Sequence, residues 1–264
     1  KSTTIKLLAT HKNSTVVASD VKRIIAANSY IYDTTTQAAE YGTNGVGLIC
    51  YAGEAGTADY STTVDKNCAN YKALALALTE ANNGATCQWQ SSLVNCGSLA
   101  NLTNIATIYN NPSTYRQGIA NTHSMLNCGQ NHAAARVASS YSVDVTGFTN
   151  SGWFLPSIEQ WDLMIRTLAP TTSDDLYITT GGWKNTGDDK HIPRYGYVNS
   201  GYGTSVLNRV ITATGAKGLL ADRYWATNEY NKNNSWAVTF GAGSGYVSIR
   251  GKTYASYVRA ALAF

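Results

Sequence analysis

At 264 residues the chain is long enough to bury a substantial core as one large domain or two small ones. Only 14% of the residues are charged, against about 25% in ordinary soluble domains, so hydroxyls and amides must supply most of the surface polarity. The net charge of +4, with no Lys/Arg run longer than two and no basic runs interleaved with aromatics, argues against a nucleic-acid footprint, and no apolar run reaches the roughly 18 residues of a membrane span.

The chain begins at Lys1 without a signal-peptide pattern, as expected of a processed N-terminus. Residues 1–28 read as an N-terminal arm or strand, and 29–264 as one domain. Strands are expected over 29–33 and 46–52. The Ala/Leu-rich stretch 71–80, stopped by Asn82-Asn83-Gly84, reads as a helix. Residues 85–150 are loop-rich, with helices expected near 99–109 and 131–139. Residues 157–168 carry the clearest helix signal. Ser157 and Gln160 form a capping box, and Ile158, Trp161, Met164, Ile165 and Leu168 recur at helical spacing.

Residues 171–223 read as long loops. From Tyr224 the period becomes two: Trp236, Val238 and Phe240 alternate with Ser235, Ala237 and Thr239. After a Gly-rich turn, Val247 and Ile249 face a core while Tyr246, Ser248 and Arg250 face out. A last strand is expected over 254–264, completing an antiparallel meander. Helices placed mainly before these strands make the class α+β.

Catalytic chemistry does not assemble. Gly251-Lys252-Thr253 ends like a phosphate-binding loop, but Tyr246 stands where glycine is required and the intervening residues alternate like a strand. Gly243-Ser244-Gly245 lacks the flanks of a nucleophile elbow. Cys50, Cys68, Cys87, Cys96 and Cys128 include no Cys-x-x-Cys pair; Cys87 and Cys96 are spaced to close a small loop, and buried thiols fit equally well. His123 and His132 read as polar or capping residues, and Cys128 with His132 as a common Cys-x-x-x-His coincidence. Asp174-Asp175 and Asp188-Asp189 read as solvated turns. No metal, cofactor or enzyme activity is expected. The Tyr, Ser, Asn and Gly mixture of 195–264, with eight of the eighteen tyrosines, has instead the composition of recognition loops.

Three stretches carry a resemblance: "GWFLPSIEQWDLM" (152–164), "YWATNEYNKNNSWAVTF" (224–240) and "GYVSIRGKTYASYVRAALAF" (245–264). Together, in that order, they resemble a bacterial C-type-lectin-like family that includes surface adhesin domains and the variable proteins of diversity-generating retroelements. The resemblance implies a C-type-lectin-like fold of small antiparallel sheets, two main helices and long loops. Trp225, Trp236, Phe240, Lys252, Tyr257, Val258 and Arg259 would be its scaffold. A variable region over about 224–264 would display Asn228, Tyr230, Asn231, Asn234, Tyr246, Ser248, Arg250, Thr253, Tyr254 and Ser256 to a ligand.

The implied partner is a protein or glycan receptor on a cell surface, met by a non-enzymatic protein that is extracellular, on the cell surface or on a phage particle. A fixed adhesin or pilus-tip-like module of the same fold is the alternative. Ala226 and Asn228 depart from the family's Ser-Ser-Thr-Glu, and the calcium- and sugar-holding Glu-Pro-Asn and Trp-Asn-Asp are absent, so calcium-dependent sugar binding is not implied. A formylglycine-generating-enzyme-like activity is the weaker alternative, because no cysteine follows Cys128.

Overall fold

The computed structural model describes residues 22–25, 30–33, 45–52, 73–97, 99, 101–103, 117–145, 150–168, 204–213, 216–242 and 245–263. The helix expected over 99–109 and the loops expected over 171–203 fall largely outside them. Within them no helix is long and apolar enough to cross a membrane.

The central sheet has six antiparallel strands: β1 (Lys22–Ile25), β2 (Tyr30–Asp33), β3 (Gly45–Ala52), β4 (Ala73–Ala77), β6 (Trp153–Phe154) and β11 (Ala261–Ala263), in the order β2-β1-β3-β4-β11-β6. β4 overturns the helix expected over 71–80. Its alternation sends Leu74 and Leu76 into one core and Ala75 and Ala77 into the other. With β3 and β11 bonded on its two edges and both faces buried, packing overrides the helix propensity of Ala and Leu. The strand expected over 254–264 is also not continuous. It divides into β10 (Ala255–Ser256), which pairs with β5 (Cys87–Gln88), and β11, which enters the central sheet.

The three-stranded meander is β7 (Arg223–Glu229), β8 (Asn234–Phe240) and β9 (Gly245–Gly251), with β7 rather than the expected 254–264 as its third strand. Trp236 pairs with Ile249 and Val238 with Val247, the register that the alternation predicts. Trp236, Val238, Phe240 and Val247 are buried in one core, whereas Val258 belongs to the other.

Among the described residues there are four α-helices: α1 (Gly118–Asn127), α2 (Ala133–Ser139), α3 (Ile158–Leu168) and α4 (Thr204–Ala213). α1 and α4 lie in stretches expected to be loops. Both main cores draw on them: Ile158, Trp161, Met164 and Ile165 of α3 with Leu207 and Ile211 of α4 fill one, and Met125 with Ala134, Ala135 and Ala138 of α2 the other. The capping box forms as expected, with the Ser157 amide donating to Gln160 Oε1 at 3.0 Å and the Gln160 amide to Ser157 Oγ at 3.3 Å. Indole N–H groups pin the pieces together. Trp89 donates to the Ala226 carbonyl, Trp225 to Cys87 and Trp236 to Leu102, each at 2.8 Å.

Gly118 opens α1 directly against that capping box. A Cβ there would lie 1.9 Å from Gln160 Oε1 and 2.8 Å from Phe154. Gly118→Ala should therefore destabilise the protein by about 1–3 kcal/mol, as overpacking does. Denaturant unfolding checks this, and the penalty should shrink in a Gln160→Ala background, where the nearest atom is gone.

Candidate functional site

The end of β9 delivers the chain into a tight turn, with the Tyr254 amide donating to the Gly251 carbonyl at 3.0 Å. Lys252 in this turn is fully buried. Its ammonium pairs with the Glu229 carboxylate, donates to the Val94 carbonyl at 2.7 Å and lies 4.9 Å from the Trp89 ring centroid. The Glu229 Oε1 atom also accepts from the Cys96 amide at 3.2 Å. Burial raises the Glu229 carboxyl above its usual range and lowers the Lys252 amine below its own, while their mutual attraction opposes both shifts. The amine that a phosphate-binding reading would need is thus already enclosed by protein.

Backbone bonds tie the same segments together. The Trp89 and Gln90 amides donate to the Lys252 carbonyl at 3.0 and 3.3 Å, and Gln88 Nε2 to the Thr253 carbonyl at 2.9 Å. The loop 88–96 and the turn 251–256 therefore form one continuous surface over a buried ion pair. On it stand Leu93, Val94 and Tyr254, the exposed large apolar side chains among the described residues, at 49%, 43% and 62% exposure. The Arg250 guanidinium lies 5.2 Å from the Tyr254 ring centroid and donates to the Ala255 carbonyl at 2.9 Å.

The residues expected on display divide by burial. Thr253 and Tyr254 are exposed, and Arg250 is half-buried beside them. Tyr230 is half-buried, with its ring T-shaped against Trp236 at 5.6 Å. Asn231 shapes the β7–β8 turn, its Oδ1 accepting the Asn233 and Asn234 amides at 2.9 Å each, and Asn234 Nδ2 joins it at 3.2 Å. Tyr246 sits on β9 opposite Thr239.

Three others are buried. Asn228 Oδ1 accepts the Ile158 amide at 2.8 Å, completing the N-terminal cap of α3. Ser248 shares a hydrogen bond with Thr239 at 2.9 Å, and Ser256 is enclosed next to β5. The outward face expected for Ser248 is corrected accordingly. The second face of the meander is also covered, and Ala237, the partner of Ser248, packs in a core.

Leu93 and Val94 were not singled out by sequence reasoning. Their only signal is an aliphatic pair between polar residues in "SSLVN". The scaffold implied by resemblance is buried at Trp225, Trp236, Phe240, Lys252, Val258 and Arg259, with Tyr257 packed partly against the core. A cleft of about 720 Å³ lies elsewhere, lined among others by Thr79, Glu80, Asn82, Tyr141 and Lys217.

No family model and no curated protein matches the sequence. Among solved structures, a fimbrial protein from Bacteroides ovatus determined at 1.85 Å has a similar fold, with a TM-score of 0.54 at 15% sequence identity. The match covers 92% of this chain and 48% of that protein, so this chain spans about half its length. At that identity the likeness speaks for the fold, an α+β arrangement of small antiparallel sheets with a few helices.

The buried pair makes a specific demand. Lys252→Met leaves the Glu229 carboxylate buried without its cation and should cost about 3–5 kcal/mol, whereas adding Glu229→Gln should recover part of that loss. Chemical denaturation of the two single variants and the double variant measures the coupling. Strictly additive losses would show that the two groups do not depend on each other.

Proposed function

We propose that the chain is a non-enzymatic recognition module of a bacterial surface adhesin. The surface built from 88–96 and 250–256 would hold a protein or glycan receptor. The observation that carries the proposal is an exposed Tyr254 beside Arg250, on a turn that hydrogen bonds tie to the 88–96 loop, which itself exposes Leu93 and Val94. Tyrosine and arginine supply much of the energy of recognition, and a pre-ordered base lowers its entropic cost. The fold likeness to a fimbrial protein supports this reading and favours an extracellular or cell-surface location.

In its narrower form, the proposal places this module on the C-type-lectin-like scaffold of retroelement variable proteins. The motifs at 152–164 and 224–264 support that form. Burial of Asn228, Ser248 and Ser256 would restrict diversification to the turn residues Arg250, Thr253 and Tyr254 and to the 230–234 hairpin. A reverse transcriptase gene and a near-copy repeat beside the 3′ end of the gene would distinguish it from a fixed adhesin.

The test pairs Arg250→Ala with Tyr254→Ala and measures thermal melting together with binding to cells and to a glycan array. Melting should change little, since Tyr254 is 62% exposed. Affinity should fall at least roughly 30-fold, the equivalent of one hot-spot side chain. Undiminished binding by the folded double variant would contradict the proposal and direct attention to the cleft around Tyr141 and Lys217.

A further inference from the structure

Three side chains with metal-ligating atoms meet beneath the 88–96 loop. Cys96 ends that loop, Cys128 follows α1 and His132 precedes α2, and one ligand atom of each lies within 4.8 Å of the others. Cys128 Sγ and His132 Nε2 are 3.1 Å apart. The turn between them passes through Gly129 at φ 76°, a conformation that glycine adopts without strain. Cys96 and His132 are buried, and Cys128 is half-buried.

We infer that Cys96, Cys128 and His132 form a zinc site, with two thiolates, one imidazole and a fourth position facing solvent. Tetrahedral zinc, with bonds of about 2.3 Å to sulfur and about 2.0 Å to nitrogen, separates its donors by about 3.5–3.8 Å. The observed cluster, with one edge of 3.1 Å and none above 4.8 Å, needs only small side-chain adjustments to reach that geometry. His132 is held by a T-shaped contact with Trp89 at 4.9 Å.

Charge also balances. Zn2+ and two thiolates sum to zero, as do Lys252 and Glu229 beside them, so loading the site leaves no uncompensated buried charge. Two thiol protons leave as the metal enters. The bound ion would fasten the loop carrying Leu93 and Val94 to the ends of α1 and α2. The inference does not depend on the recognition role, because the ligands stand on their own geometry.

The test uses the full chain, reduced and stripped with chelator, then titrated with Zn2+ against a chromophoric competitor. One zinc per chain should bind, with a rise in melting temperature, and Co2+ should give tetrahedral visible bands and thiolate charge transfer. Cys96→Ser, Cys128→Ser and His132→Gln should each weaken binding at least tenfold, whereas Cys87→Ser should not. If those variants fail to fold, alkylation mapping of the unaltered chain decides: zinc should protect Cys128 and leave Cys87 reactive. Absence of the charge-transfer band, equal reactivity of Cys128 with and without zinc, or a Cys96–Cys128 disulfide whose reduction restores no metal binding would overturn the inference.

Discussion

A charge removed from water has to be matched where it sits, and the C-terminal segment buries two, Lys252 and Arg259. Arg259 donates to the carbonyls of Ala77, Leu78 and Lys217 at 2.6, 2.9 and 2.6 Å and to Glu80 Oε1 at 2.9 Å. Tyr224 donates to the same carboxylate oxygen at 3.0 Å, and Lys217 approaches Glu80 Oε2 at 3.2 Å. Lys252 is matched by Glu229 and the Val94 carbonyl. Each cation accepts one position of the chain and penalises any slip, because a shifted register would strand it. Everything between and after them inherits that placement, including β10 against β5 and β11 inside the central sheet.

This constraint explains how a protein poor in charge can present a firm surface. The exposed turn at 253–254 is anchored by Lys252 before it and by β10 after it, and the Tyr254 amide and Thr253 carbonyl are both hydrogen-bonded. The loop 88–96 is ordered by the same ion pair together with the buried Trp89 and Cys96 at its two ends. Recognition surfaces built this way lose little entropy on binding. A metal held by Cys96, Cys128 and His132 would brace the same loop beside that ion pair, where α1 ends and α2 begins.

Much of this was legible in the sequence where local chemistry and packing agree. The cap of α3 is written in Ser157 and Gln160, and the β8–β9 register in the alternation of Trp236, Val238, Val247 and Ile249. Local and global signals part at 73–77. Ala and Leu favour a helix there, but their alternation suits a strand buried on both faces. α1 carries a weak helical signal because its buried side mixes Ile119 and Met125 with Gly118 and Thr122. Thr122, for instance, accepts the Leu155 amide at 3.0 Å and donates to its carbonyl at 3.3 Å. α4 had a fairer signal, since Leu207 and Ile211 are four apart and both buried. At the site, alternation placed Ser248 outward because it cannot report that a second layer covers that face. Spacing could not join Cys96 to Cys128 and His132, because only the fold brings the 88–96 loop to the helix ends.

The claim on which the rest depends is that Lys252 holds the loop and the turn together as one unit. Amide hydrogen exchange on the Lys252→Met variant tests it most directly. The account predicts that protection at Trp89, Gln90 and Cys96 falls together with protection at Tyr254, while the β8–β9 ladder keeps its own. Loss confined to the turn, with the 88–96 amides still protected, would contradict it.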